Sequence, residues 1–169
     1  MSNRRESLEK VARVAAKIPA LQDATTEVDS AAAAALGVNL TDLHCLAILT
    51  RREPAAPSAL AAELRLTRGA MTAVLDRLAR AKLVERCGDP EDRRGILVVV
   101  TAAAKRRVQE IWNPIEEEGT AVLLGYSQSD LRVIEGFLDR ARSLQVKHAE
   151  RIRALRRAGL PKKPAARSK

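Results

Sequence analysis

Residues 89–101 read DPEDRRGILVVVT, which sets two arginines beside three carboxylates and then runs on into five apolar residues. Arg93 and Arg94 can bind an anion, and Asp89, Glu91 and Asp92 weaken that attraction unless they have other tasks. A carboxylate can fix a neighbouring guanidinium through a charge-assisted hydrogen bond, so that less rotamer freedom is lost when the arginine enters a groove. Asp89 and Glu91 can cap the turn or discourage non-specific binding. A second group lies upstream, in TRGAMTAVLDRLAR (67–80). Its Arg68 can read guanine through O6 and N7, and the methyls of Thr72 and Ala73 can meet a thymine methyl. Gly69 and Ala70 permit close approach, and Thr67 is better placed as a cap. Arg77 and Arg80 lie further along and suit phosphate contacts. Asp76 is expected to pair with Arg80 or a neighbouring arginine, because phosphate would repel it.

Other reactive side chains are few. Cys45 and Cys87 make no disulfide framework. Cys45 lies in an apolar segment and reads as a small hydrophobe. Cys87 follows Arg86, an arrangement that can lower a thiol pKa. His44 and His148 have no further ligand near them in sequence, so neither a metal nor a cofactor is expected. There is no G-x-S-x-G elbow, phosphate loop or paired His/carboxylate motif, so no catalytic residue is assigned and an enzyme is not expected.

Charge points the same way. The net charge of +9 is unevenly spread: residues 51–107 carry thirteen basic and seven acidic side chains, and residues 151–169 carry eight basic and none acidic. Residues 108–150 carry four basic and eight acidic side chains. Localised positive charge is the electrostatic footprint of nucleic-acid binding. No long apolar run suggests a membrane helix, and the N-terminus lacks the apolar stretch of a signal peptide, so a cytoplasmic protein with no membrane partner is expected.

These side chains need a scaffold. Only 2% of residues are aromatic against 46% hydrophobic, which calls for an aliphatic, alanine-rich, helical core. Residues 6–18 and 20–36 read as helices broken at Pro19, the second stopping at Gly37. Asn39 and Asp42 form a capping-box-like start for LTDLHCLAILTRR, which EPAAPS ends. Ser58 can cap a short helix, and Thr67 a second one reaching about Ala81. In that second helix Met71, Val74, Leu75 and Leu78 fall at i, i+3, i+4 and i+7, a buried stripe opposite the basic face. Two short helices joined by a tight turn make a helix-turn-helix pattern. LVER (83–86) and ILVVV (96–100) read as strands of a hairpin, which makes a winged helix. A helix over 102–125, kinked at Pro114, follows. A capping box in SQSD (127–130) then opens a long helix whose Leu131, Ile134, Leu138, Ala141, Leu144, His148, Ile152 and Leu155 keep a near-heptad rhythm suited to a second subunit. Gly159 and Pro161 end that helix, and the rest is expected to be disordered.

In this order the motifs resemble those of the MarR (multiple antibiotic resistance regulator) family of winged helix-turn-helix transcription factors, over residues 20–157. DRRGILVVVT fits the family's wing pattern, with Asp92 and Thr101 nine positions apart. LAAELRLTRGAMTAVLDRLARAKLVER (60–86) fits its two-helix reader, and LGVNLTDLHCLAIL (36–49) its second helix. Two positions depart from it: Lys82 and Ala104 stand where the family usually and often, respectively, has glycine.

The resemblance implies a mainly α fold with a small β wing, flanked by N- and C-terminal dimerisation helices. The segments would be 1–36 (dimerisation), 37–107 (winged helix), 108–157 (dimerisation) and 158–169 (basic tail). It implies a homodimer on a pseudo-palindromic operator in double-stranded DNA, usually as a repressor, released by a small-molecule effector. The DNA-facing set would be Ser58, Thr67, Arg68, Gly69, Ala70, Thr72, Ala73, Arg77, Arg80, Asp92, Arg93 and Arg94, with Arg94 inserted in the minor groove and Asp92 orienting it. His44 and Trp112 are candidate effector contacts. Two alternatives stay open: a non-specific architectural protein that uses the basic tail, and a thiol-based redox sensor.

Overall fold

The computed structural model describes residues 2–92 and 95–157. Arg93, Arg94 and the tail 158–169, with its expected helix stop and disorder, lie outside the described residues. The elements are α1 (Ser2–Leu36), α2 (Leu40–Arg51), α3 (Pro57–Leu64), α4 (Arg68–Arg80), β1 (Val84–Gly88), β2 (Ile96–Val100), α5 (Ala102–Leu124) and α6 (Gln128–Arg157). The fold is mainly helical with one antiparallel hairpin, as the sequence predicts. The chain divides at Pro114 into two compact units.

In the first unit, α1 is one continuous helix through Pro19, not the two that the sequence predicts. Proline deletes one hydrogen bond, but the good helix formers on both sides carry the helix across it. α1 stops at Gly37, which takes a φ of 72°, with its N–H donating to Ala34 O and that of Val38 to Ala33 O. The chain then re-enters helix through the expected capping box. Asn39 Oδ1 accepts the Asp42 N–H at 3.0 Å, and Asp42 Oδ2 accepts the Asn39 N–H at 3.3 Å.

The core is aliphatic, as the composition requires. Leu43, Leu46 and Leu49 of α2, Leu60 of α3, the α4 stripe, Leu83, and Val98 and Val100 of β2 are all buried. The end of α1 adds Ala32, Ala33 and Leu36. β1 and β2 pair from Val84 with Val100 to Gly88 with Ile96. The sequence reads 53–58 only as a helix breaker, but Ala55 pairs with Val98 through both of its backbone groups, at 3.1 and 2.9 Å. Pro54 before it and Pro57 two residues after it keep this stretch out of helix, so the Ala55 N–H and C=O take partners on Val98.

Two side chains tie the sheet to the helices. Glu53 accepts the Val100 N–H at 2.9 Å and forms an ion pair with Lys105. Thr101 caps α5 by accepting the Ala104 N–H, while its hydroxyl donates to Lys82 O at 2.8 Å. α5 is one helix that contains Pro114, over the stretch that the sequence reads as helix.

In the second unit, α6 starts at the expected second capping box, where Ser127 N–H donates to Asp130 Oδ2 and Asp130 N–H to Ser127 Oγ. Of its apolar stripe, Leu131, Ile134, Ala141 and His148 are half-buried, whereas Leu138, Leu144, Ile152 and Leu155 are exposed.

Burial alone would raise the Glu53 pKa, but Lys105 and the Val100 N–H outweigh it and hold the carboxyl below its ordinary 4.5. A depressed folded pKa stabilises the fold above the ordinary value, and that gain is lost as pH falls through the lowered one. Glu53→Gln should therefore lower Tm at neutral pH, and the gap to wild type should close as pH falls below 4.5 in thermal melts.

Candidate nucleic-acid interface

The expected reader is α4. Thr67 caps it, as the sequence predicts, by accepting the Ala70 N–H at 3.2 Å. Met71, Val74, Leu75 and Leu78 are no more than 2% exposed, which fixes the buried side of the helix. Arg68, Gly69, Ala70, Thr72, Ala73 and Arg80 are exposed. The Thr72 hydroxyl donates to Arg68 O at 3.0 Å, leaving its methyl and lone pairs for an outside partner. A Cβ at Gly69 would meet nothing within 4 Å, so no internal contact calls for glycine there.

Ser58 is exposed but does not cap α3, as the sequence predicts it would. The N-cap is Ala56, which makes no side-chain bond, and Pro57 follows it. Proline in the first turn is set to helical φ, and the N–H it lacks would have had no partner there.

The arginines further along α4 part company. Arg80 remains exposed, its Nε donating to Asp76 O at 3.3 Å. Arg77 is partly exposed and reaches across to α2. Its Nε lies 2.9 Å and its Nη2 2.7 Å from the two carboxylate oxygens of Asp42, which is fully buried. Those hydrogen bonds push the Arg77 pKa further up. Asp76 pairs with Arg86 of β1, ten residues on, at 2.7 Å and not with Arg80. The sequence shows the Asp42 cap but not its second role, because Arg77 lies 35 residues away.

At the wing, Asp89 has the capping task. Its Oδ1 accepts the Glu91 N–H at 2.9 Å, and its own N–H donates to Gly95 O. Gly95 N–H donates to Asp92 O at 2.8 Å. A Cβ on Gly95 would lie 2.7 Å from Asp89 Cβ, so this turn excludes any larger residue. A cavity of about 810 Å3 brings together Ser58, Arg68 and Thr72 with Asp89, Asp92 and Ile96. Four residues of the sequence-predicted set thus share one groove between the reader and the wing.

The remaining candidates sit elsewhere. His44 is exposed on α2, and Trp112 is half-buried against the core. Cys45 is fully buried; burial first, and the Asp42 charge second, push its thiol up to about 12. Cys87 is exposed on β1.

A family model described as the MarR family matches residues 38–96, from just before α2 to the start of β2. The uncharacterised HTH-type transcriptional regulator YcgE of Bacillus subtilis (strain 168) is 32% identical over 151 residues, which are 89% of this chain and 97% of that protein. A solved MarR-like transcriptional regulator from Thermotoga maritima is 31% identical, with a TM-score of 0.56 over 64% of this chain and 77% of its own. A mutant of S. aureus MepR bound to an oligodeoxyribonucleotide has a TM-score of 0.56 at 16% identity, over 78% of this chain and 97% of its own, and shares the fold.

Two outcomes follow from this geometry. Thr67→Ala should cost about 1 kcal/mol of stability in urea unfolding, the usual loss for a helix cap. At mildly alkaline pH a thiol reagent should modify Cys87 rapidly in the folded protein and reach Cys45 only on unfolding.

Proposed function

Since the chain belongs to the MarR family of transcriptional regulators, we propose that it binds a pseudo-palindromic operator as a homodimer, acts as a repressor there, and is released by a small-molecule effector. It is a DNA-binding regulator and not an enzyme. The observation that carries the reading is the exposed face of α4, where Arg68 and Thr72 share one groove with the base of the wing and Gly69, Ala70 and Ala73 are exposed beside them. An α-helix of this kind fits the major groove, with its N-terminal residues on the base edges.

In this reading Arg68, Thr72 and Ala73 read bases, Gly69 and Ala70 allow close approach, and Thr67 and Ser58 approach the backbone. Arg80 meets phosphate. Asp92 orients Arg94, with Arg93 beside it, for entry into the minor groove, which attracts arginine most where it is narrow. Residues 37–107 form the DNA-binding segment, and 1–36 and 108–157 the dimer hub. Support for the hub comes from apolar side chains that each helix leaves uncovered: Leu8, Val11, Val14 and Leu21 on α1, and Leu138, Leu144, Ile152 and Leu155 on α6. Runs of this length on long helices suit a second copy. His44 and Trp112 are the side chains proposed for the effector, and the cytoplasm is the proposed site of action.

Selection from a pool of random duplexes tests the reading, and a two-fold symmetric motif is the expected result. No enrichment over background would favour non-specific architectural binding through the tail. Deleting 158–169 should weaken binding without changing the preferred sequence. Arg94→Ala should lower affinity for the selected duplex by more than about 1 kcal/mol while the protein stays dimeric in sedimentation.

A further inference from the structure

Asp76 and Arg77 are neighbours on α4, and each is tied to a different element. Asp76 takes Arg86 of β1, and Arg77 takes Asp42 of α2. The first pair is exposed on both sides, at 42% and 50%, and pairs of that kind hold geometry weakly. The second differs. Asp42 is sealed from solvent, and Arg77 meets it through two nitrogens on two oxygens. A two-point contact between planar groups fixes orientation as well as distance. The same carboxylate accepts the Asn39 N–H, so it is itself held at the start of α2.

We propose that Asp42 and Arg77 are positioning residues for DNA reading, which set the rotation of α4 about its own axis and so place Arg68, Thr72 and Ala73 against the bases. Side chains project roughly 5–6 Å from a helix axis, so a turn of about 20° moves a side-chain head by about 2 Å. A base-edge hydrogen bond does not survive that displacement. The buried stripe of Met71, Val74, Leu75 and Leu78 selects which face of α4 turns inward but carries no directional bond, whereas the two-point pair fixes an orientation. The proposal rests on the operator-binding reading above.

Charge separates positioning from contact. Asp42 is an anion in a DNA-binding segment, so on electrostatic grounds its loss should favour binding. Weaker binding on its loss can come only through geometry. Arg77 as a phosphate contact would instead leave a mark on the salt dependence, a slope shallower by about one unit on removal.

The experiment uses the full-length protein and the duplex that the wild type selects. Binding is measured against salt for Asp42→Asn, Arg77→Gln, Arg77→Lys and the double variant Asp42→Asn/Arg77→Gln, beside a random-sequence duplex. Each single variant is expected to lose about tenfold on the selected duplex. Binding to random sequence and the salt slope should stay unchanged, and the double variant should be no worse than Arg77→Gln. Arg77→Lys keeps the charge and one hydrogen bond, so it should fold even where Arg77→Gln does not, yet it should still lose the selected sequence several-fold. Wild-type affinity in Arg77→Lys, or a shallower slope in Arg77→Gln with undiminished binding by Asp42→Asn, would overturn the proposal. A wild type that enriches no duplex overturns the operator reading, and this proposal with it.

Discussion

A carboxylate cut off from water must find partners inside the protein, and that constraint organises the reading half of this molecule. Asp42 is the buried charged side chain among the described residues. Leaving such a group unmatched is far costlier than any surface ion pair is helpful. The fold meets the demand by aiming the Asn39 N–H and the Arg77 fork at it. In doing so it ties the start of α2 to the reader helix through Arg77. The same negative charge helps to keep the neighbouring Cys45 thiol protonated. Cap and clamp follow from one buried acid, which also adds to what burial does to the cysteine.

The wing is held with different materials. Ala55 adds a single antiparallel bridge to Val98 of β2, so the breaker segment between α2 and α3 is also pinned to the hairpin. Glu53 joins that segment to the end of β2 and the start of α5, and Thr101 joins the start of α5 to the turn after α4. Reader, wing and the helix that leaves them therefore share a common set of anchors. Outside this centre, α1 and α6 leave large apolar side chains uncovered.

Much of this was legible in the sequence, for physical reasons that can be named. Local signals worked where one interaction decides. Asn39 with Asp42, Thr67, Ser127 with Asp130, the glycine stop at 37 and the stripe from Met71 to Leu78 all stand as the sequence predicts. Pro19 misled because proline weakens a helix without forbidding it, and strong neighbours prevail. Ser58 misled because two residues competed for one helix start, and Pro57 in the first turn left the cap position to Ala56. Arg77 and Asp76 were illegible in partner choice, since pairing over 10 to 35 residues depends on how the helices pack. The bridge at Ala55 was hidden for the same reason. Arg93 and Arg94, the arginines of the expected wing tip, lie outside the described residues.

Both turns that flank α4 place a basic residue in the left-handed region: Arg65 before it, with a φ of 56°, and Lys82 after it, with a φ of 58°. Glycine takes that conformation freely, whereas a residue with a Cβ is strained there by about 1 kcal/mol. Both side chains are exposed, in a segment with thirteen basic and seven acidic residues. A glycine at either turn would relax the backbone and remove one charge from the field that draws a polyanion in from a distance. The two turns thus exchange resistance to unfolding for speed of association, and a version of this chain selected for heat tolerance alone would be a slower searcher of DNA.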